Sequence, residues 1–454
     1  MKRFTNLFLV GIPVVLLLMR SGEENQITNV VIFILSAVSL IPLARFVESA
    51  VEELAELLGQ FVGGLLHTTF GNLAELAIGI SIILASAQHT ITNGPDIVRA
   101  SIAGAVIRNS LLFLGLATIL GTWRNGKMRF DAENASEYST VFALAVIGLA
   151  LPGMANLLHV EAFSQERAIL PSIVVASILL VSYLAYVLFS VFRVAAVADA
   201  RGARAERRRA RQERKESKRT ARRYNRMPIP AVPDVNALFE QERATAEARL
   251  AAEDAARVGA TPARRAGGPI DPKGRRREAE KRARAEAGEE ETGWFKGHPI
   301  LRGLAAVGVL AAGATGVVVM SEQFVHSIEP VATQFLGGNE LFIGLIVIPV
   351  IGGVVELIGA VSTARHDRME ITMAVTAGAS IQTILFVAPI LVFVAAVVGV
   401  PFTLIFQPLA LLVFVSSTFV FMLLGRDGES TWLEGVQLTA FWLLTAGTAF
   451  FLHG

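Results

Sequence analysis

The 454-residue sequence contains no cysteine. Disulfides and thiolate metal sites are thereby excluded, and any metal chemistry must use oxygen ligands and histidine. Charge is also scarce: Asp, Glu, Lys and Arg make up 18% of the residues against 53% hydrophobic, and the mean hydropathy is +0.54. So little charge over such a length excludes a large soluble protein and reads as a polytopic membrane chain. A cleavage site is missing as well. Met1 to Met19 has a short basic start and an apolar run, but no small-residue processing signal follows, so a retained first span is expected.

What the chain has instead is long apolar runs. They lie at 4–19, 27–44, 61–87, 97–121, 140–158, 168–192, 299–320, 341–364, 371–399, 402–424 and 432–452, each near the roughly 20 residues a helix needs to cross a bilayer. Backbone groups in hydrocarbon must be satisfied internally, and the runs are too long and uniform for barrel strands. The expected fold class is therefore an all-α polytopic membrane protein of about eleven transmembrane helices.

Lys and Arg collect in cytoplasmic loops. With a cytoplasmic N-terminus, Lys2, Arg3, Arg45, Arg124, Lys127, Arg129, Arg365, Arg368 and Arg426 lie inside, and Arg20, Arg99 and Arg167 fall at the outer face. The same orientation puts the segment 201–296 in the cytoplasm and the C-terminus outside. That segment holds 26 Lys and Arg against 16 Asp and Glu, a net of +10, whereas the rest of the chain is −8. It is too poor in apolar residues to bury a core and is expected to be a largely disordered linker that touches anionic lipid. Before Trp294 its only aromatics are Tyr224 and Phe239, so no nucleic-acid partner is expected. Between the second and third spans, Glu48, Glu52, Glu53 and Glu56 repeat at helical spacing within Val47 to Gln60, which predicts a short amphipathic helix with an acidic face.

The linker divides the spans into an N-terminal helix (1–26), a first half (27–195), the basic segment (196–297) and a second half (298–454). In each half the second span carries a glycine four residues before a glutamate: Gly71 and Glu75, then Gly352 and Glu356. The third span of each carries a Gly-centred polar cluster, Gly104 to Asn109 and Gly378 to Thr383. Five spans per half invert the second relative to the first, the plan of secondary transporters. A charge at the centre of a span costs about 2.5 to 3.5 kcal/mol on insertion scales, so two glutamates in repeat register call for a purpose. Carboxylates with amide, hydroxyl and carbonyl oxygens suit a hard divalent cation such as Ca2+. The same carboxylates bind protons in low dielectric, and competition between metal and proton is the coupling of an exchanger.

Taken together, these residues resemble the calcium/proton antiporters of the cation/calcium exchanger superfamily. Thr69-Phe70-Gly71-Asn72-Leu73-Ala74-Glu75 is similar to that family's first signature, and Glu340 to Pro349 followed by Gly352 and Glu356 is similar to the second. Gly104 and Asn109, Ser321-Glu322, Gly378, Ser380 and Gln382 before Phe386 to Pro389, and Gly428 to Gly435 extend the likeness. The resemblance implies a non-enzymatic antiporter of the plasma (inner) membrane that exports cytoplasmic Ca2+ in exchange for H+, with no cofactor. It implies Glu75 and Glu356 as metal ligands and proton carriers, and Asn72, Asn109, Ser380, Gln382 and Thr69 as supporting oxygen ligands.

The chain also departs from the family pattern. Gly353 stands where asparagine is usual, Leu357 where histidine is frequent, His67 where a small amide is usual, and Arg108 beside Asn109 where small residues are expected. His67 lies eight residues before Glu75, about 80° round an ideal helix, where it either relays protons or makes a packing hydrogen bond. Arg108 either pairs with Glu75 or Glu356, weakening Ca2+ binding, or snorkels toward a watery cavity. The rival functions are an exchanger of Na+ or another cation, and a membrane scaffold that acts through the basic segment.

Overall fold

The computed structural model describes residues 11–21, 25–164, 167–188, 240, 242–245, 299–335 and 337–451. Nearly all of the basic segment 196–297 lies outside the described residues, as do 1–10 and 452–454. Contacts along the chain set Val194–Gly293 apart from a body made of Met1–Arg193 and Trp294–Gly454.

Apolar runs whose backbone lipid cannot satisfy fold as helices, and helix meets every run of the body. Among the described residues six helices are long and apolar enough to cross a membrane: Gln26–Leu58, Gly94–Asn125, Ala135–Leu157, Ile169–Leu188, Ile300–Phe335 and Met369–Val398. A seventh is counted when Glu340–Gly352 and Val354–Arg365, bent by 57°, form one span. The helices Gly11–Ser21, Leu73–Ala87, Pro408–Leu424 and Trp432–Phe451 fall below that measure, so a count of eleven requires these to cross too.

Three elements differ from expectation. The run 61–87 is two helices, Gln60–Phe70 and Leu73–Ala87, interrupted at Gly71 and Asn72. Val47 to Gln60 is no separate amphipathic helix. It is the end of the 33-residue helix Gln26–Leu58, which runs through Pro42 and stops at Gly59, where φ of +87° suits only glycine. The run 402–424 becomes helical only at Pro408: Pro401 and Pro408 disfavour helix before them, and Phe402, Leu404 and Phe406 are buried in chain without regular secondary structure. Ser172 satisfies part of that buried backbone, accepting at its Oγ a hydrogen bond of 3.0 Å from the Leu404 amide. A two-residue antiparallel ribbon also pairs Met128 with Ser430 and Arg129 with Glu429. Its strands are too short to show an alternating pattern in the sequence.

Close approach of helices sets the middle of the body. A Cβ on Gly104 would lie 1.9 Å from the Leu345 carbonyl oxygen, so only glycine lets Gly94–Ile107 rest on the turn Ile343–Val347. The helix Gln26–Leu58 packs along Pro299–His326, with Phe33 and Phe324 ring centroids 4.7 Å apart. The third spans of the two halves share a defect: each contains a π-helical turn, Arg108–Phe113 in one and Thr383–Val387 in the other. Such turns insert an extra residue and turn side chains off the helical face, often at functional sites.

A candidate cation site at two broken helices

Glu75 is the third residue of Leu73–Ala87, and Glu356 is the third residue of Val354–Arg365. Each carboxylate therefore sits in the first turn after a break, where unpaired backbone N–H groups and the positive end of the helix dipole favour an anion. The residues at the breaks share a backbone shape, with φ and ψ of −105° and 25° at Asn72 and −109° and 19° at Gly353. The glycine-before-glutamate pattern in the sequence marks a matched pair of interrupted helices.

Glu75 is buried, and Arg108 reaches it. The arginine is wholly buried, and its Nη2 lies 2.6 Å from Glu75 Oε1. The same nitrogen donates to Asn109 Oδ1 at 2.8 Å, Nε donates to that oxygen at 3.0 Å, and Nη1 donates to the Pro349 carbonyl. The guanidinium Cζ stands 4.8 Å from the centroid of the Phe113 ring. Thr383 Oγ1 donates to the other oxygen of Glu75 at 3.1 Å. Of the two courses open to Arg108, pairing with Glu75 is the one taken. Snorkelling loses because the side chain finds an anion and two neutral acceptors within the protein.

The opposite carboxylate has different surroundings. A cavity of about 420 Å3 is lined by Glu356, Glu48, His67, Asn72, Gln382, Tyr138 and Tyr186 among apolar residues, and Glu75 is not part of its wall. Glu356 Oε2 is buried and has no hydrogen-bond partner among the described residues. Glu75 lines instead a hollow of about 10 Å3 with Ser101 and Thr383. Across the cavity wall Asn72 Nδ2 donates to Gln382 Oε1 at 2.8 Å, which leaves the Asn72 carbonyl oxygen for another partner.

The structure thus gathers Asn72, Gln382, His67 and Glu356 at one cavity, and Glu75, Arg108 and Asn109 at a buried cluster beside it. It does not bring in Ser380, whose hydroxyl donates to the Thr376 carbonyl of its own helix at 3.1 Å, or Thr69, which is exposed and off the cavity wall. His67 does line the wall, but the break at Gly71 and Asn72 puts it on a different helix from Glu75, so the ideal-helix angle between them does not apply. Asn109 Oδ1 is held by Arg108, and its Nδ2 has no partner among the described residues. No group of three or more acidic or histidine side chains forms a metal cluster among the described residues, so neutral oxygens must complete any cation's shell.

Thr383, the last residue of the polar cluster in the second half, and the Pro349 carbonyl are site groups that the sequence did not single out as ligands. Thr383 was within reach of the repeat, since aligning Gly104 with Gly378 puts it opposite Asn109. The Pro349 carbonyl and the cavity tyrosines Tyr138 and Tyr186 carry no such mark.

A family model for the sodium/calcium exchanger protein matches residues 28–192 and 305–451. A Ca2+/H+ antiporter of Synechocystis is 30% identical over 93% of this chain and 91% of its own length. Another Ca2+/H+ antiporter, from Aphanothece halophytica, is 28% identical over 98% and 95%. The solved structure of native YfkE superposes with a TM-score of 0.65 at 21% identity, over 99% of this chain and 100% of that one, which shows a shared fold.

Proposed function

Given that the chain belongs to the sodium/calcium exchanger protein family, we propose that it is a Ca2+/H+ antiporter, as two relatives of similar length are named. The observation that carries this is the pair of carboxylates, Glu75 and Glu356, each in the first turn of a helix that resumes after a break. A half-buried carboxylate with a buried, unpartnered oxygen on a cavity wall is suited to bind either a cation or a proton, and one place cannot hold both. Glu356 is the open ligand, with Asn72 and neighbouring carbonyl oxygens beside it, and Glu75 is the inner one. The equivalent breaks and π-helical turns support two inverted repeats, 27–195 and 298–454, that move about this point. Positive-inside loops support an N-terminus and basic segment in the cytoplasm; in a plasma (inner) membrane that orientation makes the exchanger an exporter of Ca2+.

Uptake of radioactive calcium into inside-out vesicles under an imposed proton gradient tests the proposal. Wild-type vesicles should accumulate Ca2+ and Glu356→Gln vesicles should not; equal uptake by both removes the mechanism. One observation favours a second reading: the positive charge of Arg108 beside Glu75 suits a cation of single charge such as Na+. Counterflow of Na+ in the same vesicles reports it.

A further inference from the structure

The guanidinium of Arg108 gathers the oxygen set that a hard cation would gather at Glu75. It contacts one carboxylate oxygen of Glu75, the amide oxygen of Asn109 and the main-chain carbonyl of Pro349, all in a place closed to solvent. Its seat is made by the residue at the second helix break: a Cβ built on Gly353 would lie 2.2 Å from Arg108 Cζ and 2.3 Å from Nη1. Real Cβ atoms do not approach a planar cation this closely, so arginine in this position and a side chain at position 353 exclude one another. The two residues come from different halves, 245 positions apart in the sequence, and fit as a pair.

We infer that Arg108 is a specificity-determining residue that acts as a tethered cation: seated over Gly353, it occupies the Glu75 side of the site and competes there with the transported cation. The assignment rests on cation exchange at this site. A divalent ion must displace the guanidinium from Glu75 or do without that carboxylate, and in both cases it binds more weakly than it would without the arginine. An ion of single charge loses less, because repulsion by a fixed positive charge scales with the charge of the arriving ion. Arg108 therefore lowers the preference for Ca2+ over Na+.

The experiment compares purified wild-type protein with Arg108→Gln and Gly353→Ala in detergent, measuring Ca2+ affinity by calorimetry and the concentration of Na+ that halves Ca2+ binding. Thermal unfolding of each variant verifies that it is folded. Arg108→Gln should bind Ca2+ at least tenfold more tightly and need more Na+ for displacement. Gly353→Ala keeps the charge but unseats it, and should shift Ca2+ affinity in the same direction by a smaller factor. The double variant should bind like Arg108→Gln alone, because once the guanidinium is gone the added methyl has nothing to displace. A purely structural arginine would weaken Ca2+ and Na+ binding together, which overturns the inference. So does wild-type protein that exchanges Ca2+ while Arg108→Gln binds it within twofold of wild type, an outcome that leaves the antiporter assignment intact. Ca2+ binding by none of the proteins overturns both.

Discussion

At the scale of single residues, the centre of the molecule is a buried ion pair with a third party. Removing one partner of such a pair leaves an uncompensated charge and costs about 3–5 kcal/mol, whereas removing both often costs far less. Glu75→Gln and Arg108→Met should each lower the unfolding temperature strongly, and the double variant should lie well above the sum of the two. An additive result in thermal unfolding would mean that the contact of 2.6 Å does not couple them. Thr383→Val removes the donor to Glu75 Oε2, and a hydrogen bond to a charged group contributes about 1.5–3 kcal/mol. Its loss should appear as a smaller destabilisation in the same measurement. Because Glu75→Gln disturbs this cluster, Glu356→Gln is the cleaner probe of transport. The carboxylates were legible in the sequence because a charge in an apolar run and its repeat are patterns along the chain, whereas Asn72 and Gln382 came from the family resemblance. That Arg108 fills the space above Gly353 was not, since it joins residues 245 positions apart and turns on the absence of a side chain.

At the scale of elements, the two interrupted helices and the π-helical turns Arg108–Phe113, Ile343–Val347 and Thr383–Val387 do the positioning. The sequence announced the long runs and the pairing of the halves through composition and spacing. It did not announce that 401–407 is not helical, or that the glycine before Glu75 marks a full break of 61–87 at Gly71 and Asn72, because local glycine and proline signals acquire their meaning from packing. The ribbon outside the spans offers a test of its own. Lys127, hydrogen-bonded to Glu429, holds that carboxyl below the usual carboxylate range, and Arg129 at 3.2 Å adds to the effect. A depressed folded-state pKa contributes stability that is fully present above the ordinary carboxylate pKa of about 4.3 and is lost as pH falls through the folded value. Glu429→Gln should therefore be less stable than wild type at neutral pH, with the gap in unfolding temperature closing as the pH drops below about 4. A gap that is the same at both ends of the titration would show that the ribbon does not depend on this charge. The basic segment is tested at the same scale. A chain lacking 201–296 should keep Ca2+ exchange if the helical body is the transporter, and should lose its function if the segment is the working part of a scaffold.

At the scale of the whole molecule, a body of net charge −8 surrounds an acidic site in a chain that is 53% hydrophobic. One cavity reaches Glu356, and a neighbouring cluster keeps Glu75 closed in. The most direct measurement of the central claim reconstitutes purified protein into proteoliposomes, imposes a pH gradient, and records Ca2+ and luminal pH together. Wild-type protein should drive Ca2+ uphill only while the gradient lasts, with protons moving the opposite way, and Glu356→Gln should abolish both fluxes. Ca2+ movement that ignores the gradient, or survives Glu356→Gln undiminished, would contradict the account.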